Sequence, residues 1–141
     1  MITISGHGNL VADPEVRYTG SGKAVATLRV AAFNGKDQAG EAKSLFIDLE
    51  AWETLAENCE KSLHKGDRVT FTGTLREDEW KNKEGETRKK SKIALKDIGP
   101  ALMWATASVS KAERRGEDDT RRSRREDSRR ETAQAVEEDP F

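Results

Sequence analysis

The chain has 141 residues, enough for one domain and a short tail, and 36% of them are charged against roughly a quarter in ordinary globular chains. No apolar run approaches the ~20 residues that cross a membrane and no signal-peptide pattern opens the chain, so a soluble cytoplasmic protein is expected. Formal net charge is −1, so an anionic partner has to be argued from local segregation of charge.

Met1–Leu10 is a β-branched opening interrupted by Gly6 and Gly8, the pattern of a bent or closely packed strand. Asp13-Pro14 and Gly20-Ser21-Gly22 are turn signals around a short run, Glu15–Thr19. Ala24–Phe33 alternates, with Ala24, Ala26, Leu28 and Val30 on one face and Val25, Thr27, Arg29 and Phe33 on the other. After a polar loop at Asn34–Ala42, Lys43–Trp52 alternates again: Leu45, Ile47, Leu49 and Ala51 face one way, Phe46, Asp48, Glu50 and Trp52 the other. Leu55, Ala56, Cys59 and Leu63 recur at helical spacing, with Thr54 and Glu57 as a capping box and Lys65-Gly66 as a stop. Arg68–Arg76 returns to strand, with Val69, Phe71 and Leu75 inward. A hairpin loop at Glu79–Gly85 leads into a strand at Thr87–Leu95 that carries Arg88, Lys90 and Lys92 on one face. Ala101–Val109 reads as a last strand.

One helix after the third long strand predicts a mainly β fold: an OB-fold, a five-stranded Greek-key barrel with one short helix. The strand pattern by itself leaves an SH3-like barrel or a sandwich open. Lys111–Phe141 holds 9 basic and 10 acidic residues in 31 but only five hydrophobic ones, which cannot build a core. The expected division is a domain at 1–109 and a disordered mixed-charge tail at 110–141.

No catalytic constellation emerges. Gly20-Ser21-Gly22-Lys23 is too short for a phosphate-binding loop, and His7 and His64 lack further ligands at metal spacing. The single cysteine, Cys59, lies on the apolar side of the helix and reads as core. Asp48 and Glu50 share a face that would suit a metal-dependent nuclease, but two acids on a strand are the ordinary pattern of a solvated surface. No enzyme, cofactor or metal is expected. The aromatic residues carry more. Phe33, Phe46 and Trp52 fall opposite the aliphatic face and Trp80 lies among lysines, so four rings point where a partner is needed. Residues 81–96 hold seven Lys/Arg against Glu84 and Glu86. Rings for bases and cations for phosphates suit nucleic acid, and single strands rather than duplex, since no helix carries base-reading residues. A dimer interface is the competing use of the rings, and stacking does not separate DNA from RNA.

Gly8–Tyr18 (Gly-Asn-Leu-Val-Ala-Asp-Pro-Glu-Val-Arg-Tyr) resembles the opening motif of bacterial single-stranded DNA-binding proteins. Ala24–Val30, Trp52–Asn58 with Leu63–Val69, and Gly73–Arg76 follow in the family's order. Ile98–Leu102 with Ala105–Ala107 is similar to the actinobacterial branch. The resemblance covers residues 1–109 and implies an OB-fold, a homotetramer and sequence-independent binding of single-stranded DNA. It further implies roles at the nucleoid in replication, recombination and repair. It assigns base stacking to Phe46, Trp52 and Trp80, with Phe33 near a further ring position, and phosphate contact to Arg17, Arg29, Lys43, Arg76, Lys81, Arg88, Lys90 and Lys92. Glu137, Glu138, Asp139, Pro140 and Phe141 are similar to the acidic tip that recruits partner proteins, although Asp139 stands where an aliphatic residue is common. Asp48 also departs from the family, which commonly carries a basic residue there, so Asp48 and Glu50 are expected to repel phosphate. That acidic pair favours the alternative of a paralogue or primosomal adaptor that binds proteins. The paired arginines between Arg114 and Arg130 read as a self-screening spacer or, alternatively, as a second DNA contact.

Overall fold

A computed structural model describes residues 1–112, and six extended segments and one helix lie among these described residues. The strands are β1 (Thr3–Leu10), β2 (Glu15–Tyr18), β3 (Ala24–Lys36), β4 (Ala42–Trp52), β5 (Arg68–Lys81) and β6 (Thr87–Pro100), with α1 (Thr54–Ser62) between β4 and β5. β1 and β2 both run antiparallel to β3, through Leu10 opposite Val30 and Val16 opposite Ala26, so they are two halves of one strand broken at Val11–Pro14. β1 also pairs with β5, β5 with β6, β6 with β4 in parallel, and β4 with β3. The circuit is a closed five-strand barrel with Met1–Ser108 as one compact unit. This connectivity, with its helix after the third barrel strand, is the OB-fold.

Strand alternation fills the barrel. Ala26, Leu28 and Val30 of β3, Leu49 and Ala51 of β4, Val69 and Phe71 of β5 and Ile93 of β6 are buried, joined by Ala56, Cys59 and Leu63 from α1 and its C-terminal end. Each large aliphatic residue removed from water there contributes about 1.5–3 kcal/mol. The Cys59 thiol is pushed up to about 11, first by burial and then by the nearby Asp97 charge, so it stays protonated and unreactive at neutral pH. Backbones approach closely at two glycines. A Cβ on Gly8 would lie 2.7 Å from the Ala31 carbonyl oxygen, and one on Gly73 would overlap the Ala94 carbonyl and sit 2.7 Å from Ile93 Cγ2. Gly73 faces the register shift in the β5–β6 ladder. Gly73→Ala is therefore expected to lower the unfolding free energy by about 1–3 kcal/mol in urea melts.

Several elements differ from the sequence reading. The loops at Asn34–Ala42 and Glu79–Gly85 shrink to five-residue turns, and the strands run through to meet them. In both, an Asx side chain organises the turn: Glu41 N–H donates to Asp37 Oδ1 at 2.9 Å, and Glu84 and Glu86 N–H donate to Asn82 Oδ1 at 3.0 and 2.9 Å. Gly40 and Gly85 supply the positive φ that each turn requires. Trp80 thus stands on a strand, with its side fixed by the ladder. The capping box does not form. The N-cap is Glu53, at φ 57°, and no side chain caps the helix. Ala101–Val109 is not a strand. Ala101 N–H bonds to the Arg68 carbonyl at 2.9 Å, but β5 begins at Arg68, so the ladder has no further backbone to offer. Trp104 rests on the Arg68 guanidinium instead, 4.4 Å from carbon to ring centre. Leu45 and Leu75 have inward parity but are partly exposed. The tail readings, including the paired arginines and the tip Glu137–Phe141, lie outside the described residues.

Candidate nucleic-acid interface

The side chains of β2–β6 that point away from the core share one outer face of the barrel. Ladder register places them in rows. Arg17 of β2 is opposite Val25 of β3, which is opposite Trp52 of β4. Thr27 is opposite Glu50, Arg29 opposite Asp48, Ala31 opposite Phe46 and Phe33 opposite Ser44. On the other side of β4, the β5–β6 hairpin sets Arg76 against Lys92, Asp78 against Lys90 and Trp80 against Arg88. Paired residues share a face, so Trp52, Phe46, Phe33 and Trp80 all belong to this surface. They are exposed by 45%, 53%, 72% and 47% respectively. Trp52 and Phe46 are six residue steps apart along the strand, about 20 Å.

The charges on this face are organised. Lys90 Nζ lies 2.7 Å from Asp48 Oδ2. Lys92 Nζ donates to both Glu50 Oε2 and Asp78 Oδ2 at 2.9 Å. The other Glu50 oxygen, Oε1, accepts the Trp52 indole N–H at 2.9 Å. Lys92 and Glu50 are only 21% and 19% exposed at their side chains. Hydrogen bonds donated to Asp78 and then to Glu50 hold the Lys92 ammonium above the ordinary lysine range, against the opposing effect of partial burial. The Arg29 guanidinium lies over the Phe46 ring, 5.2 Å from its centre, and Arg88 pairs with Glu86 at 3.3 Å. Among the described residues, Arg17, Arg29, Lys43, Arg76 and Lys81 form no ion pair.

Most of the residues singled out in the sequence therefore meet on one face, in three groups. Phe33, Phe46, Trp52 and Trp80 are the rings; Arg17, Arg29, Arg76 and Arg88 lie beside them; Lys90 and Lys92 are bound to carboxylates. Lys43 and Lys81 do not join the face, because each is one residue out of phase with a ring neighbour, Ser44–Phe46 and Trp80. Asp48 and Glu50 are not bare charges, since both are paired with lysines and only 19% exposed at their side chains. Asp78 was missed in the sequence. Its signal was available in the Asn82–Glu86 turn, which fixes the hairpin register and puts Asp78 across from Lys90. Among the described residues no group of three His, Cys, Asp or Glu side chains is placed to hold a metal, and no helix is long and apolar enough to cross a membrane.

The model of the single-strand binding protein family matches residues 2–101. A single-stranded DNA-binding protein of Mycolicibacterium smegmatis is 43% identical over 121 residues, covering 81% of this chain and 72% of that protein. One from Paenarthrobacter nicotinovorans is 40% identical over 126 residues, covering 86% and 74%. Another, from Corynebacterium glutamicum, is 40% identical over 114 residues and covers 77% of this chain and 51% of that protein. These relatives are actinobacterial, the branch to which Ile98–Leu102 and Ala105–Ala107 pointed.

Proposed function

The chain belongs to the single-strand binding protein family, and from that premise we propose that it coats exposed single-stranded DNA without regard to sequence. The observation that carries the reading is the row of exposed rings on one barrel face, Trp52, Phe46, Phe33 and Trp80. Every base has a face to stack on them, which makes such a surface tolerant of sequence. Arg17, Arg29, Arg76 and Arg88 beside the rings neutralise phosphates through planar forks. Lys43 and Lys81, on the reverse side of the two hairpin arms, reach only a strand that wraps around the arm. The protein acts as a binder and not as an enzyme, in the cytoplasm, during replication, recombination and repair.

Two finer parts of the proposal rest on other features. Homotetramer formation is supported by the exposed Ile2, Leu102, Met103 and Trp104, apolar side chains that a subunit contact would cover. Partner recruitment through Glu137–Phe141 rests on sequence likeness alone. The protein-binding alternative drew its support from a bare acidic patch, and Asp48 and Glu50 are instead paired with Lys90 and Lys92. Competition gel shifts test the reading. A labelled dT oligomer should be displaced by unlabelled single strands of any sequence and not by duplex DNA. Equal displacement by duplex would end it.

A further inference from the structure

Two adjacent ion-pair groups, Asp48–Lys90 and Glu50–Lys92–Asp78, form a patch between Trp52 and the Phe46–Trp80 end of the face, carrying three negative and two positive charges, with Asp78 opposite Lys90 in the β5–β6 ladder. For Lys92 to reach a phosphate it must leave two charge-assisted hydrogen bonds of 2.9 Å and bare two carboxylates beside an incoming anion. The arginines that flank the patch form no ion pair among the described residues: Arg17 lies beyond Trp52, Arg29 stands opposite Asp48 with its guanidinium over Phe46, and Arg76 stands opposite Lys92. We propose that this patch closes the centre of the face to phosphate, so that bases cross it while the DNA backbone is neutralised at the arginine margins, with Glu50 as the residue that positions Trp52. The inference rests on the single-strand reading above. Through its two oxygens, Glu50 ties the indole N–H of the stacking ring to the Lys92 ammonium, so the ring's orientation and the closure of the patch are one arrangement.

Salt dependence counts the cations that meet phosphate, at ~0.7 per contact on a single strand. If Lys90 is held away from phosphate, Asp48→Asn frees it. The slope of log affinity against log salt for a dT oligomer should then steepen by ~0.7, and adding Lys90→Gln should remove that gain. An unaltered slope in Asp48→Asn means that Lys90 already meets phosphate, and overturns the closure. Positioning is read separately, in a Trp80→Phe/Trp104→Phe background where Trp52 is the remaining tryptophan. Glu50→Ala should shift Trp52 emission to the red and halve its quenching by dT, and Glu50→Gln should restore both, since its amide oxygen accepts the same N–H. Emission and quenching unchanged in Glu50→Ala overturn the positioning role. Absence of dT binding by the wild-type protein would instead overturn the single-strand reading. The Trp52 emission of Glu50→Ala would still report on the contact.

Discussion

Replacing Trp52 and Trp80 together by alanine should weaken binding of a dT oligomer at least about thirtyfold, measured by anisotropy of an end-labelled strand. Each ring is half-exposed on the same face, one on the edge of the Arg17 row and the other on the β5–β6 arm opposite Arg88. Single-strand binders as a class, this family among them, gain ~1–3 kcal/mol per stacked base. Two rings together are then worth at least ~2 kcal/mol, which is the thirtyfold. Neither ring is charged, so the loss should appear in the affinity at every salt concentration and leave the salt slope in place. A loss confined to low salt would mean that the rings serve only to hold the nearby cations.

Leu49→Ala should cost about 3 kcal/mol of folding stability, the effect expected when a filled core site is emptied. Leu49 is fully buried, opposite Leu28 on β3 and Ile93 on β6. It sits at the parallel pairing that joins the two halves of the barrel, between Asp48 and Glu50 of the outer face. For a domain near 100 residues the loss corresponds to a Tm lower by roughly 15 °C. Calorimetry checks it, and a shift below about 4 °C would show that the barrel interior collapses around the gap. Below the melting transition the variant should still bind single strands, since the rings stand on the other side of the sheet.

The strands and the side on which each ring falls were legible because period-two alternation is local: Leu28, Leu49 and Ile93 announce the core, and Phe46 and Trp52 follow by parity. The five-residue turns at Asp37–Glu41 and Asn82–Glu86 were also written in the sequence, as an Asx followed three residues later by glycine, but the hydrophobic pattern alone stops short of them. Missing the second turn hid Asp78 and left Trp80 in a loop. What local pattern cannot carry is pairing between distant strands. Lys92 and Glu50 are 42 positions apart, and only the parallel β4–β6 register brings them together. For the same reason Asp48 and Glu50 read as repulsive charges. Ala101–Val109 read as a strand from its apolar composition. A strand also needs an unpaired neighbour, and β5 had none left beyond Arg68.

Titration of the intrinsic tryptophan fluorescence with oligo-dT at two salt concentrations, beside matched duplex DNA and RNA, tests the central claim most directly. Stacking on Trp52 and Trp80 should give strong quenching by dT, weaker apparent affinity at the higher salt, and no comparable change with duplex. Absence of quenching by dT at low salt would contradict a stacking surface on this face and turn the search toward protein partners for the same rings.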